Sequence, residues 1–410
     1  MDFLERHNFS LSTADLLHEK ILSDMERGLK SGGSEQAMIK AGSASVRTIS
    51  EGENAIIIDA GGTNFRSCLV TKSPSGIEIS DFEKKSMPAI DRELSKEEFY
   101  KAIADNISRL KDKSDKISFC FSYAMNISED GDGQIIRFSK EVKAPQAIGT
   151  YLGKELLSEL KRQGWKRINK INVLNDTTAL LLSSFVEDNN SANSQSKWSS
   201  RLAFILGTGM NSAYIHNKKI IVTECGMFSS LPQSDFDIIV SGRTTLPKQS
   251  LLEKMCSGAY LGDIAFEMLK SACQENEFSP QFCTAFSKLT SLSTSDFDGL
   301  FYSDKKTSLS ELAEKGNKAD KELLQELIKT IITRSAYFSA EAIYAAILSA
   351  DKEKENLPLC ITCNGSTFWK TPLLKEKAES RLKVLLPAAF EIIKIDDDIS
   401  KGTFAAAFIS

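Results

Sequence analysis

Two short stretches carry the residue types of a phosphate site. Residues 56–65 read IIIDAGGTNF, an apolar run that ends in Asp59 and passes into Gly61-Gly62-Thr63-Asn64. Residues 202–211 read LAFILGTGMN and repeat the theme with Gly207-Thr208-Gly209-Met210-Asn211. Glycines let backbone N–H groups come close to anionic oxygens, and threonine adds a hydroxyl. Two such turns, one in each half of the chain, could hold a triphosphate from both sides. Asp59 cannot grip phosphate itself, because like charges repel. It can hold Mg²⁺, directly or through water, and the metal can then bridge to the phosphates. One Gly-Gly-Thr-Asn turn alone would suit a plain hairpin as well as a site; the second copy favours a site.

The turns match neither of the common nucleotide loops. A dinucleotide fingerprint needs G-x-G-x-x-G opening a helix, whereas Phe65–Val70 alternates like a strand. A Walker loop needs Lys followed by Ser or Thr after its glycines, and none stands here. Each turn therefore joins two strands.

The elements that must carry these turns follow from periodicity. Leu16, Leu17, Ile21, Met25 and Leu29 predict a helix within 12–30. Strands are expected at Ala55–Ile58, Phe65–Val70, Ile77–Ile79, Ile117–Ser122 and Ile171–Leu174. A capping box at Ser95-Lys96-Glu97-Glu98 opens one helix, and Leu152–Leu160 marks another. Residues 187–200 read as an exposed polar loop. Strands then return at Leu202–Leu206, Ser212–His216 and Lys219–Thr223. A helix over 250–270, long helical patterning over 319–349, a strand at 358–363, a helix at 372–386, a strand at 390–395 and a short terminal helix complete the chain. Each half thus begins strand, Gly/Thr/Asn turn, strand, strand, a duplicated pattern that predicts two α/β lobes facing one another across a cleft.

Bulk properties narrow the function. At 410 residues the chain is too long for one core. A net charge of −4 argues against nucleic acid as the main partner. The N-terminus lacks a signal-peptide pattern and no apolar run reaches membrane-span length, so no membrane association and a cytoplasmic location are expected. The eight cysteines then read as reduced thiols; Cys360 and Cys363 lie in a strand-like run and suit burial better than metal or redox chemistry. Three histidines, far apart in sequence, argue against a His-dependent triad.

These motifs, with four further segments, resemble the hexokinase family of the actin-like ATPase superfamily, from about residue 12 to the C-terminus. IIIDAGGTNFR is similar to the first phosphate motif and LAFILGTGMNSAYI to the second. LNDTTALLLSS resembles the segment with the catalytic carboxylate, LLEKMCSGAYLGDI a sugar-binding helix, CNGSTFWKTP the adenosine segment and DDISKGTFAAAF the start of the closing helix. FCFSY and FSK point to hexokinases among sugar kinases.

The resemblance implies an α/β fold of two actin-like (ribonuclease H-like) lobes, each with a mixed five-stranded sheet flanked by helices. The small lobe would span 54–175, with the C-terminal helix 402–410 a candidate addition; the large lobe would span 1–53 and 176–401. It also implies ATP-dependent phosphorylation of a hexose, glucose first, at the 6-hydroxyl, with Mg²⁺, by a monomer or homodimer. A kinase for mannose or N-acetylglucosamine, and a non-catalytic sugar sensor, are the alternatives.

Residue by residue, the resemblance makes Asp176 the general base. The same aspartate follows a strand and precedes a helical run, which also suits an N-cap. Ser122, Ser139, Lys140, Asn175, Asn211, Glu224 and Glu253 would bind the sugar. Asp59, Gly61, Gly62, Thr63, Asn64 and Arg66 would serve phosphate and magnesium from one lobe, with Gly207 and Thr208 from the other. Gly365, Ser366 and Ser400 would lie near the nucleoside and its phosphates. The chain departs from the family at Ala124, Asn126, Ser139, Val222, Cys225, Ser250, Asn364 and Ile399.

Overall fold

The computed structural model describes residues 2–128, 130–138, 141–189, 196–352 and 356–409. Its strands are β1 (Ile39–Ser43), β2 (Asn54–Gly61), β3 (Asn64–Ser73), β4 (Gly76–Ser86), β5 (Ile117–Phe121), β6 (Ala124–Ile127), β7 (Gly133–Arg137), β8 (Ile171–Leu174), β9 (Ser200–Leu206), β10 (Met210–His216), β11 (Lys219–Val222), β12 (Leu359–Asn364) and β13 (Phe390–Ile393). One sheet runs β4-β3-β2-β5-β8 and the other β1-β11-β10-β9-β12-β13, with β6 and β7 forming a separate hairpin.

The duplication expected from the sequence is explicit in the pairing. In the first sheet β4–β3 and β3–β2 are antiparallel, while β2–β5 and β5–β8 are parallel. In the second, β11–β10 and β10–β9 are antiparallel, while β9–β12 and β12–β13 are parallel. The expectation of five strands in each sheet fails for the second. β1 pairs antiparallel with β11 and adds a sixth strand at that edge. Its sequence, IKAGS, alternates only over Ile39-Lys40-Ala41, too short a run to mark a strand without the partner β11.

Two helices join the sheets. Asp176–Asn189 follows β8 and packs against β9, β10 and β12, while Asp398–Ala406 packs against β2, β5 and β8 and against the first helix. Their crossing is close: a Cβ at Gly402 would lie 1.7 Å from the carbonyl oxygen of Ala179. Only glycine fits there. The final helix starts at Asp398, ahead of the expected 402.

Several other boundaries move. The helix expected within 12–30 begins at Leu17, because Leu16 is left-handed (φ 58°) and a 3₁₀ turn occupies Leu11–Ala14. The helix expected over 250–270 is two helices, Leu251–Cys256 and Leu261–Gln274. Between them Gly258 donates its N–H to the carbonyl of Gly207 at 2.8 Å, which ties the break to the second glycine turn. The polar stretch 187–200 has ordered flanks: Trp198 is buried and Ser200 opens β9. Residues 190–195 of that expected loop lie outside the described residues. The capping box of Ser95 and Glu98 forms as expected.

The long helix Lys318–Ser349 anchors the larger core. Within it Arg334 makes a bidentate pair with Asp237, both bonds 2.7 Å, and both side chains are almost fully buried. Removing one partner strands a charge in an apolar core. Arg334→Ala should cost about 3–5 kcal/mol of stability in denaturant titrations.

Candidate functional site

A cavity of about 640 Å³ opens between the two sheets. Ser122, Asn175, Asp176, Asn211 and Glu224 line it, so five of the expected sugar and catalytic residues meet in one space although they come from distant parts of the chain.

Asp176 is delivered by the end of β8. Asn175 caps the following helix: its carbonyl accepts from Ala179 N–H at 3.0 Å and its Oδ1 from Thr178 N–H at 2.8 Å. The N-cap reading of Asp176 is thereby corrected, since the cap belongs to the residue before it. Asp176 is the first helical residue, and Thr177 donates both its N–H (2.7 Å) and its hydroxyl (3.2 Å) to Oδ1. Among the described residues no hydrogen bond falls on Oδ2, which is open to take a proton. Burial pushes this carboxyl above the usual range, Thr177 pulls it back, and the charge on Asp59 adds to the rise.

The first turn joins β2 to β3. Asp59 and Arg66 are cross-strand partners in this pair, and Arg66 Nη1 donates to Asp59 Oδ2 at 2.7 Å. Burial raises the Asp59 carboxyl and Arg66 opposes the rise. Oδ1 of Asp59 carries no such bond. Gly62 and Thr63 are exposed at the tip, while Gly61 and Asn64 face one another across it. Ser122 N–H donates to Ala60 at 2.9 Å, and the Tyr123 hydroxyl to the Gly62 carbonyl at 2.7 Å. The turn and the loop that follows β5 are one hydrogen-bonded unit.

The second turn joins β9 to β10. The Gly207 carbonyl accepts from the Thr367 hydroxyl at 2.8 Å as well as from Gly258 N–H, so three segments converge on it. Gly365 (φ 110°) packs directly beneath: a Cβ there would lie 2.1 Å from the Leu206 carbonyl. Thr208 is exposed at the tip.

Asn211 and Glu224 clasp each other. Asn211 Nδ2 donates to Glu224 Oε1 at 2.6 Å, and Glu224 N–H donates to Asn211 Oδ1 at 3.0 Å. Glu224 is held in a left-handed conformation (φ 54°). Burial pushes its carboxyl up to about 7, the Asn211 bond opposes this, and the charges of Asp176 and Glu253 add to it. Glu253 stands one step behind the cavity wall, with Oε2 accepting the Met210 N–H at 3.0 Å. Its neighbour Lys254 is buried, with Nζ bonded to Thr244 Oγ1 at 2.8 Å and the Leu246 carbonyl at 2.6 Å. With Glu253 half-buried and Lys254 buried, this stretch of the helix Leu251–Cys256 is not a solvated face.

A second cavity of about 300 Å³ is lined by Gly365 and Ser366 together with Trp369, Lys370, Lys394 and Asp396–Asp398. Asn364, at its edge, donates from Nδ2 to Asp398. Ser400 lies within the closing helix and lines neither cavity. Ser139 and Lys140 lie outside the described residues.

Sequence reasoning missed Arg137, Met227 and the β1 residues Ile39 and Ala41, all of which line the first cavity. Arg137 ends β7, and the apolar Ile135-Ile136 beside it was the available signal. No comparable signal existed for β1.

Comparison with known proteins bears on this geometry. Two family models, both described as hexokinase, match residues 1–186 and 201–409. The chain belongs to the hexokinase family. Hexokinase-5 of Oryza sativa subsp. japonica is 28% identical over 64% of the chain and 56% of its own length. Hexokinase-1 of Schizosaccharomyces pombe is 24% identical over 99% of the chain and 89% of its own length. Human Hexokinase-2 is matched over 46% of its length, so the chain spans about half of some hexokinases it resembles. A Schistosoma mansoni hexokinase solved in complex with glucose shares the fold, with a TM-score of 0.72, 21% identity, and coverage of 99% of this chain and 98% of that one. The hexokinase fold is thus the one that carries both glycine turns and the cavity between the sheets. Among the described residues no helix is long and apolar enough to cross a membrane.

Proposed function

We propose that the protein transfers the terminal phosphoryl group of ATP to the 6-hydroxyl of a hexose, glucose first among them, giving hexose 6-phosphate and ADP as at the entry to glycolysis. The observation that carries this reading is the Asp176 carboxylate. It has one oxygen fixed by Thr177 and one free, in a cavity it shares with Ser122, Asn175, Asn211 and Glu224. A hexose presents hydroxyls all round, and this lining offers amide, hydroxyl and carboxylate partners to match them.

In this reading Asp176 Oδ2 accepts the proton of the attacking hydroxyl, and a pKa raised by burial makes it a stronger base than an ordinary carboxylate. The two glycine turns hold the phosphates, and Arg66 offsets charge on the group in transfer. Asp59 fits Mg²⁺ through Oδ1, the oxygen that Arg66 leaves free. The ion would supply charge neutralisation between the phosphate oxygens. The lobe carrying β2 to β8 would close on the lobe carrying β9 to β13, which excludes water from the reacting phosphoryl group. The second cavity, with Gly365 and Ser366, would take the nucleoside. All eight cysteines are free thiols, which fits a cytoplasmic protein.

A coupled assay over a hexose panel, with ATP, GTP and polyphosphate as donors, tests the reading. Turnover of glucose with ATP and Mg²⁺, and a 6-phosphate by NMR, is the expected result. Sugar binding without turnover on any donor would favour a sensor instead.

Glu224 gives the site a pH signature. Its carboxyl titrates near 7 in the folded protein and ordinarily at 4.5. Below pH 7 it is neutral and a poorer acceptor for sugar hydroxyls. KM for hexose should therefore rise as pH falls from 8 to 6, and Glu224→Gln should flatten that dependence. Stability runs the other way. Between pH 4.5 and 7 the unfolded chain has lost this proton while the folded one keeps it, so stability falls as pH rises through that window, by about 3 kcal/mol. Glu224→Gln should remove this fall in Tm measured against pH.

A further inference from the structure

Six of the eight cysteines are buried: Cys68, Cys120, Cys225, Cys256, Cys360 and Cys363. The two that solvent reaches, Cys273 and Cys283, stand against one another, far along the chain from both glycine turns. Cys273 lies in the last turn of the helix Leu261–Gln274, and Cys283 lies in the helix Pro280–Phe286.

The turn between these helices brings the thiols together. Glu277 N–H donates back to the Ala272 carbonyl at 2.9 Å, and Asn276 is left-handed (φ 62°), which reverses the chain sharply. Ser279 caps the second helix, and Phe278 stacks on Phe282 with ring centroids 4.0 Å apart. Cys283 Sγ then sits 3.9 Å from the Cys273 carbonyl and 3.8 Å from that of Phe278, which sets the two cysteines side by side across the turn.

From this arrangement we infer that Cys273 and Cys283 form a disulfide when the folded protein meets a peroxide, and that this pair is the chain's site of reversible thiol oxidation. One thiolate attacks the peroxide O–O bond, giving a sulfenic acid and water or an alcohol. The second thiol then attacks that sulfur and expels water as the S–S bond forms. The pair loses two protons and two electrons, and the peroxide gains them. Burial and the neighbouring thiol hold the Cys273 pKa up, so the reaction should quicken as pH rises.

The bond would clip a turn that already ties down the N-terminus. Glu275 accepts from Arg6 at 2.8 Å and pairs with His7 at 2.5 Å, and Glu277 accepts from Arg6 at 2.5 Å. The cleft residues are untouched. The effect falls on stability and not on the chemistry.

The test uses the full reduced protein treated with hydrogen peroxide, quenched with an alkylating reagent and mapped without reduction. The expected product is one peptide pair linking Cys273 to Cys283, lighter by two hydrogens, with the other six cysteines unmodified. Tm should rise by about 3 °C, dithiothreitol should reverse it, and hexose turnover should stay within error in both states. In Cys273→Ser the link and the Tm rise should vanish, and dimedone should trap a sulfenic acid at Cys283. Cys283→Ser provides the reciprocal variant if the first folds poorly. Oxidation of either cysteine to sulfinic acid with no link, a link involving any other cysteine, or no oxidation before unfolding would each overturn the inference. None of these outcomes depends on the sugar or donor the enzyme uses.

Discussion

Asp176→Ala should lower kcat by about 10²–10⁴-fold, the range that general-base catalysis supplies. Hexose affinity, read by calorimetry, should be largely kept. The two readouts separate because Asp176 is one of several groups lining the cavity, whereas Ser122, Asn175, Asn211 and Glu224 remain to bind hydroxyls. The fold should tolerate the change, since Asn175 and not Asp176 caps the helix. Asp176→Asn is the sharper variant: it keeps an oxygen for Thr177 and loses only the basic oxygen. Turnover above about a tenth of the parent's in either variant would assign the base elsewhere.

Asp59→Ala should lower kcat/KM for Mg-ATP by about 10²–10³-fold, comparable with loss of one well-placed electrostatic group. Half-maximal activity should need more Mg²⁺. A second consequence separates this residue from a merely structural one. The negative charge of Asp59 raises the Asp176 carboxyl. Without it, the acidic limb of the kcat–pH profile should move to lower pH. An unchanged magnesium requirement with an unmoved acidic limb would remove Asp59 from the site. Arg66 complicates the single variant, because loss of Asp59 releases its guanidinium. Asp59→Ala combined with Arg66→Ala measures the coupling of the two.

Much of the candidate site was legible because its signals are local. A glycine turn needs only its own residues to reverse the chain, and both turns stand where the sequence placed them, between strands. The strand–Asn–Asp–helix junction at Asn175 is equally local, as a cap and the first helical residue lie side by side in the chain. The duplicated strand pattern was legible for the same reason, since each strand carried its own apolar run.

What depends on a distant partner was not legible. β1 exists because β11 offers an unpaired edge, so its sequence needs no strand pattern of its own. The break after Cys256 is set by the Gly207 carbonyl, remote in sequence. The Asp59–Arg66 pair follows from hairpin register, and Glu253 stands behind the cavity because its oxygen meets the backbone of the second turn.

The sequence by itself thus determined which groups could do the chemistry and that the chain folds as two lobes of one pattern. Residue type and short-range spacing suffice for that. Only the tertiary structure decided which oxygen of Asp176 is free, how burial lifts Glu224 toward neutrality, and which two of eight cysteines are neighbours within reach of solvent. Desolvation and hydrogen-bond occupancy belong to groups brought together by folding.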